Sequence, residues 1–177
     1  REAMEKHLYD PEIGRFLRGI YVRADGSVEK DFTVESSLFA LFALDVFSVD
    51  DPRVAQTMEA VKKSLHVDTA IGGIARYQGD YYFKKSHDTV KVPGNPWIIC
   101  TLWVADWEIA KAKSLDELQE PKNRLAWVVR HALQSGVLSE QLDPYSGAPV
   151  SVAPLTWSHA TYVATVLRYL EKVNELR

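Results

Sequence analysis

Apolar residues recur at helical spacing in five segments of the chain, in two alternating patterns. Segments 31–47 and 97–110 are apolar over most of the helix circumference, which predicts buried helices. Segments 52–65 and 125–133 carry apolar residues on one face only, and a fifth helix is predicted from about Trp157. The alternation predicts an all-α protein in which one set of helices is enclosed by another.

Capping residues define the predicted helix ends. Asp31, Asp51 and Asn95 each precede a predicted helix and carry a side chain that can accept a hydrogen bond from its first turn. Pro52 follows Asp51 at the first helical position, where proline is favoured. Gly136 follows the fourth segment and predicts its end, because glycine readily adopts the left-handed conformation that terminates helices.

The connections between the predicted helices alternate between long and short. A hairpin around Asp25–Gly26 is predicted before the first helix, and loops 66–94 and 135–155 are long, whereas 48–51 is short. Short links join antiparallel neighbours, so all the long loops should emerge at the same end of the molecule. We therefore expect two concentric helical layers with one loop-rich end.

Composition and charge narrow the class of protein. With 46% hydrophobic and 25% charged residues, the chain is expected to form one globular domain over residues 1–177. A net charge of −3 without a basic stripe argues against binding to nucleic acid or to an anionic membrane surface, and no apolar stretch is long enough to span a membrane. Cys100 is the only cysteine and no histidine has ligand-spaced partners, so we predict no disulfide, no metal site and no cofactor.

The sequence leaves the cellular compartment undecided. No signal peptide is recognisable, which favours the cytoplasm over secretion. However, the chain begins at Arg1 rather than at methionine, so we expect the native start to lie upstream.

A carboxylate and a tryptophan flank the second long loop. Glu140 lies in the run LSEQLDPYSG at 138–147, and Trp157 lies in PLTWSHA at 154–160. Aromatic rings stack on the apolar face of a pyranose and a carboxylate can activate water, so the pair indicates a carbohydrate site. A loop glutamate is also commonly a solvated charge, and these residues alone leave both interpretations open.

These two runs resemble the C-terminal signature of family 15 glycoside hydrolases, which include glucoamylases, glucodextranases and trehalase-like enzymes. A second block agrees, with GIARY at 73–77, DYY at 80–82 and GNPWIICTLW at 94–103. The similarity extends from about Phe16 to the C-terminus. It implies a six-hairpin α/α toroid, of which this chain would form about half the helices, at the C-terminal end of the catalytic domain.

The resemblance also implies roles for individual residues. Glu140 matches the general base of an inverting mechanism, and Ser151 matches a residue that hydrogen-bonds the base. The positions that match substrate-binding residues are Arg76, Asp80, Tyr81 (with Tyr82 as its alternative), Trp97 and Trp157. From the residues themselves, Arg76 could equally form a surface salt bridge, and either tryptophan could simply belong to the core.

The implied function is hydrolysis of an α-glucoside, with glucose released from an α-glucan. The family's general acid lies upstream of Arg1, and we expect Glu35 and Glu108, placed within predicted helices, not to replace it. The chain alone is therefore expected to be inactive. Two alternatives remain: a trehalase or glucodextranase of the same family, and a non-catalytic helical domain that binds carbohydrate or another protein.

Half a toroid should leave inner helix faces uncovered. The candidates are Phe39, Phe42, Phe47 and the run 97–103. Large exposed apolar patches usually mark an interface, so we expect a homodimer through the open edge. The alternative is collapse of the helices into a closed bundle.

Overall fold

The computed structural model describes residues 1–177 and contains six α-helices and eight short strands. The helices are α1 (Glu2–His7), α2 (Ala40–Ala43), α3 (Pro52–Ser64), α4 (Ile98–Lys111), α5 (Gln119–Arg130) and α6 (Thr156–Glu175), with 3₁₀ turns at Ser36–Phe39 and Asp116–Leu118. The strands are β1 (Tyr9–Asp10), β2 (Arg15–Phe16), β3 (Gly19–Val22), β4 (Val28–Asp31), β5 (Ile74–Ala75), β6 (Pro96–Trp97), β7 (Gln141–Leu142) and β8 (Pro149–Val150).

Helix α4 forms the centre of the molecule. Its residues Ile98–Ile109 are all buried, as the continuous apolar pattern predicts. One side of α4 packs with α3 and the segment before α2 in the larger core cluster. Another side packs against α5 and α6, where Leu102 meets Val128 and Tyr162. Every later helix therefore depends on α4 for its position.

The prediction of a long helix over 31–47 is wrong. Asp31 ends β4, and its carboxylate accepts a hydrogen bond from the Thr33 N–H (3.0 Å), which makes a turn instead of a helix cap. Glu35 stays extended and pairs with Tyr77, so the first helical turn begins only at Ser36. The helical segment then ends before Asp45, whose φ of 55° is left-handed.

Three further helix boundaries test the capping predictions. The Asp51 carboxylate accepts a hydrogen bond from the Arg53 N–H (2.9 Å), so the predicted cap of α3 is confirmed. Asn95 does not cap α4, because Pro96–Trp97 forms strand β6 and the helix starts at Ile98. Gly136 does not end α5 either: the helix stops at Arg130, and Gly136 lies in a later turn with φ of 81°.

The long loops meet in two sheets. The hairpin predicted around Asp25–Gly26 is confirmed, with β3 and β4 paired from Gly19–Asp31 to Val22–Val28. Loops 66–94 and 135–155, which the sequence treats as irregular, contribute β5, β7 and β8 to one antiparallel sheet, and Pro96–Trp97 contributes β6 between β5 and β7. The loop-rich end is therefore an ordered structure.

One side of the molecule is apolar and uncovered. A row of aromatic rings runs from Phe42 and Phe39 to Trp103, which stacks on Phe39 (4.3 Å), and on to Trp157 (5.7 Å from Trp103). The row lines a groove of about 460 Å³. Helix α6 continues this surface with exposed Val163, Leu167 and Leu170, and we call the groove and this stripe the open face.

The open face differs in part from the sequence expectation. Phe47 and the run Trp97–Trp103 are buried, because Phe47 packs on Phe16 (5.0 Å) and α4 is covered by α5 and α6. Phe39 and Phe42 line the groove, and the apolar residues of α6 that lie outside its buried side supply the rest of the exposed surface. The alternative of collapse into a closed bundle is not observed, because the aromatic groove stays open. None of the helices has the length and apolar character needed to cross a bilayer.

A buried ion-pair cluster joins α3, α4 and α5. Glu108, whose side chain is 3% exposed, accepts hydrogen bonds from Arg124 Nε (2.7 Å) and Nη2 (3.0 Å) and lies 2.9 Å from Lys62 Nζ. Burial raises the pKa of Glu108, but the hydrogen bonds and charges of Arg124 and Lys62 outweigh it, so the pKa lies below its ordinary value. Glu108 is therefore an ionised structural residue.

Glu108→Gln is expected to lower the free energy of unfolding by about 3 kcal/mol at neutral pH, because two cations lose their buried partner. The folded-state pKa is depressed from 4.5, so this stabilisation is present above that pH and is lost as the pH falls through the folded-state value. Urea unfolding at neutral and acidic pH measures both effects. The control is Glu59→Gln, which removes an exposed ion pair to Lys111 and should cost at most about 1 kcal/mol. Equal losses for the two variants would contradict the structural role.

Candidate active site

The sheet of β5 to β8 brings the two sequence blocks together. Trp97 pairs with Ile74 on one side and with Gln141 on the other, and Gln141 also pairs with Val150. Arg76 immediately follows β5 and Glu140 immediately precedes β7. Residues far apart in the sequence therefore lie around one tryptophan.

Arg76 is fixed by an ion pair and by aromatic rings. Its Nε and Nη2 donate to the two carboxylate oxygens of Asp80 at 3.0 and 2.7 Å, and Asp80 is almost completely buried. The guanidinium carbon lies 4.6 Å from the Trp97 ring, 4.9 Å from Tyr77 and 5.4 Å from Tyr82. Burial lowers the pKa of Arg76, but the Asp80 contact raises it above its ordinary value. The side chain keeps a rigid, partly exposed fork whose Nη1 has no hydrogen bond within the protein.

Asp80 is a carboxylate that lies beside Arg76 in the same loop. It also accepts a hydrogen bond from the Tyr82 N–H (3.0 Å). Its oxygens are thus engaged in positioning Arg76 and the backbone that follows.

Of the two candidate tyrosines, the structure brings Tyr82 to the site. Its ring lies 6.2 Å from Trp97 and 4.8 Å from Phe83. Tyr81 is 79% exposed and stacks on no other ring, so its part in substrate binding stays a prediction.

Glu140 is held by its backbone and has a half-buried side chain. Its N–H donates to the Val152 carbonyl (2.9 Å), and its carbonyl accepts from the Ile98 N–H (3.2 Å). The carboxylate accepts one hydrogen bond, from Gln141 Nε2 to Oε2 (3.2 Å), and Oε1 has no partner in the protein. A fixed carboxylate with a free oxygen can accept a proton from a bound water molecule.

The predicted hydrogen bond from Ser151 to Glu140 is absent. Ser151 follows β8 with a left-handed φ of 65°, in a turn that carries its backbone away from the regular ladder, and its hydroxyl has no partner in the protein. Gln141 contacts the Glu140 carboxylate in its place.

The two tryptophans differ in exposure. Trp97 is buried but its indole Nε1 has no hydrogen-bond partner, so it is both a core residue and a potential donor beside Arg76. Trp157 is 54% exposed at the start of α6. The next residue, Ser158, donates to the carbonyl of Ser139 (2.8 Å), which ties this helix end to the residue before Glu140.

Sequence reasoning placed Glu35 within a helix and gave it no part in the site. The residue lies before the helix, its backbone pairs with Tyr77, and the following Ser36 N–H donates to the Arg76 carbonyl (2.8 Å). Its carboxylate is 3.9 Å from Arg18 Nη1. Burial raises the pKa of Glu35 more than Arg18 and Arg76 lower it, so the pKa is above its ordinary value. Only the pairing with Tyr77 brings it near the site, and no local pattern reveals that pairing.

No group of three or more histidine, cysteine, aspartate or glutamate side chains has an arrangement that could hold a metal ion. The groups around Trp97 are instead those that recognise sugars: an arginine fork, aromatic rings and a carboxylate. Their arrangement suits binding of a neutral polyhydroxyl ligand with one water molecule activated beside Glu140.

Comparison with known proteins identifies the family. Residues 11–129 and 110–167 match the model of glycosyl hydrolases family 15. An uncharacterised glycosyl hydrolase of Methanocaldococcus jannaschii is 34% identical over 176 residues, covering 94% of this chain and 26% of that protein. A glucoamylase of Clostridium sp. is 32% identical over 145 residues, covering 78% of this chain and 20% of the relative.

The fold agrees with this relationship. The crystal structure of a bacterial glucoamylase in complex with acarbose superimposes with a TM-score of 0.70 and 27% identity, covering 89% of this chain and 25% of that one. The helices described above are therefore part of an α/α toroid. The match by the family model over most of the sequence and the shared fold lead to one conclusion: this chain belongs to glycosyl hydrolases family 15.

Proposed function

We propose that this chain is the C-terminal part of the catalytic domain of an inverting α-glucoside hydrolase that releases glucose from α-glucans. The observation that carries the proposal is the juxtaposition of Glu140, with one free carboxylate oxygen, and the Arg76–Trp97 pair on a single sheet. The likeness to a Clostridium glucoamylase, and to a bacterial glucoamylase that binds the oligosaccharide analogue acarbose, supports this substrate class.

Each residue has a distinct part in the proposed reaction. Glu140 removes a proton from water as that water attacks the anomeric carbon. The free N–H groups of Arg76 donate to sugar hydroxyls, and Asp80 keeps the guanidinium in place. Tyr82 and Trp157 provide aromatic surface for the sugar rings. These residues orient the substrate so that the water attacks from one face only.

Inversion needs a second carboxyl group, the acid, about 6.5–9.5 Å from the base. Asp80 is engaged by Arg76 and the Tyr82 backbone, and Glu108 is buried among cations, so neither is free to donate a proton to a leaving group. Glu35 faces Arg18, and the family resemblance implies an acid upstream of Arg1 rather than at this residue. We propose that the acid comes from a part of the catalytic domain outside residues 1–177. Without it, this chain alone should not hydrolyse glycosides.

The open face fits the same proposal. In the complete domain, further toroid helices would cover Phe39, Phe42 and the exposed stripe of α6. In the isolated chain, a second copy is the simplest cover, because a two-fold pair buries the same apolar patch on both partners.

The proposed function is tested with the complete protein and maltotriose. NMR spectra recorded during the first turnovers should show β-glucose as the initial product, since inversion at the α-linked carbon gives the β-anomer. Initial α-glucose would contradict the inverting mechanism, and no hydrolysis would contradict the enzyme assignment. Parallel assays with isomaltose and trehalose distinguish the glucodextranase and trehalase alternatives.

A further inference from the structure

A buried chain of side-chain amides leads from the aromatic loop to Glu140. Asn95 Nδ2 donates to the Phe83 carbonyl (2.9 Å) and to Gln141 Oε1 (2.9 Å), and Asn95 Oδ1 accepts from the Lys85 N–H (3.1 Å). Gln141 Nε2 then donates to the Glu140 carboxylate (3.2 Å). Asn95 and Gln141 are 2% and 0% exposed, so water does not compete for these bonds.

Two backbone groups, the Lys85 N–H and the Phe83 carbonyl, determine which end of each side-chain amide donates and which end accepts. The Lys85 N–H can only donate, so the Asn95 oxygen must face it, and the Phe83 carbonyl can only accept, so the Asn95 NH₂ group must face that carbonyl. The same NH₂ group then requires the oxygen of Gln141 as its second partner. That leaves the Gln141 NH₂ group facing Glu140, where a donor is needed.

Few other side chains could fill this position. Aspartate has the same shape and could accept from Lys85, but it has no donor for Phe83 or Gln141. Facing an aspartate, the Gln141 amide would turn its NH₂ group toward residue 95 and its oxygen toward Glu140. Two acceptors would then oppose each other, and Glu140 would lose its one side-chain hydrogen bond.

We infer that Asn95 is a positioning residue for Glu140: it fixes which end of the Gln141 amide faces the carboxylate and so holds that carboxylate in place for water activation. The inference rests on the proposed role of Glu140 as base. The same Asn95 amide donates to the carbonyl of Phe83 and so stabilises the left-handed backbone conformation of that residue (φ 53°).

The test uses the complete protein and steady-state kinetics with maltotriose. Asn95→Asp is expected to lower kcat by up to about 10²-fold, since a small displacement of a catalytic group has an effect of that size. KM and acarbose affinity should stay near the wild-type values, because Arg76 and Trp97 are untouched. Asn123→Asp is the matched control: Asn123 lies on the exposed side of α5, bonded to Gln119, and its variant should retain wild-type kcat.

A double-mutant cycle shows whether Asn95 acts through Gln141. Gln141→Met removes the amide, so adding Asn95→Asp to it should cost no further kcat if the effect passes through that amide. Additive losses would overturn the inference, because they would mean that Asn95 only supports the fold. If Asn95→Asp fails to fold, Gln141→Met alone decides: lower kcat with unchanged acarbose affinity supports the inference, and wild-type kcat overturns it.

The outcomes also separate this inference from the proposed function. Wild-type hydrolysis together with unaltered kinetics of Asn95→Asp would overturn the positioning role alone. A wild-type protein without hydrolytic activity would overturn both.

Discussion

Glu140→Gln in the complete protein is expected to lower kcat for maltotriose by about 10²–10⁴-fold, the usual contribution of a general base. Glutamine keeps the size and one acceptor of the side chain, so acarbose binding, measured by calorimetry, should be essentially unchanged. The substitution removes the charge that accepts the proton of water and leaves Arg76, Tyr82 and Trp97 in place.

Two further variants make this test specific. Glu171→Gln, an exposed site on α6, serves as the control and should retain wild-type kcat. Glu35→Gln examines the other carboxylate near Arg76. Wild-type turnover by Glu140→Gln combined with a large loss in Glu35→Gln would transfer the base role to Glu35.

The second large effect is expected for association of residues 1–177 alone. A valine, leucine or phenylalanine side chain contributes about 1.5–3 kcal/mol when it is buried. A chain with the open face uncovered should therefore self-associate. Sedimentation equilibrium should show a dimer. Leu167→Ser should weaken it by tenfold or more, because about 1.4 kcal/mol corresponds to a factor of ten.

Leu115→Ser provides the matched comparison, since Leu115 is exposed but precedes the 3₁₀ turn at Asp116–Leu118, away from the aromatic groove. Its dimer constant should equal that of the wild type. A monomer that binds no apolar dye would contradict the exposure of the open face. In the complete domain, Leu167→Ser should instead lower stability, because toroid helices are proposed to cover the residue there.

The sequence predicts the central helix well because burial is required along almost the whole length of α4. Residues 98–109 are mostly apolar and all are buried, and the two carboxylates among them, Asp106 and Glu108, are paired with basic side chains. Segment 31–47 is also rich in apolar residues, but Glu35 pairs with Tyr77 and Phe47 packs against Phe16. Distant partners decide its conformation, and a local pattern contains no information about them.

The candidate site likewise combines residues that the sequence identifies with contacts that only the tertiary structure reveals. Arg76, Trp97 and Glu140 were identified from motifs, and the structure brings them to one sheet; their roles remain predictions. The contact of Gln141 with Glu140, in place of the expected Ser151, depends on the left-handed turn after β8. Asn95 was interpreted as a helix cap because Asn-Pro is a common start of helices. Its actual partners, Phe83 and Gln141, are defined only by the tertiary structure.

The pairing of β5, β6 and β7 has a consequence for folding kinetics. Trp97 pairs with Gln141, which lies 44 residues further along the chain, whereas Glu108 of α4 and Arg124 of α5 are 16 residues apart. Closing long loops costs chain entropy before the pairing contributes any stabilisation, so such contacts form late. The helical signal should therefore develop before Trp97 pairs with Gln141, and the placement of Glu140 beside Trp97 should be the last feature of the site that a refolding chain regains.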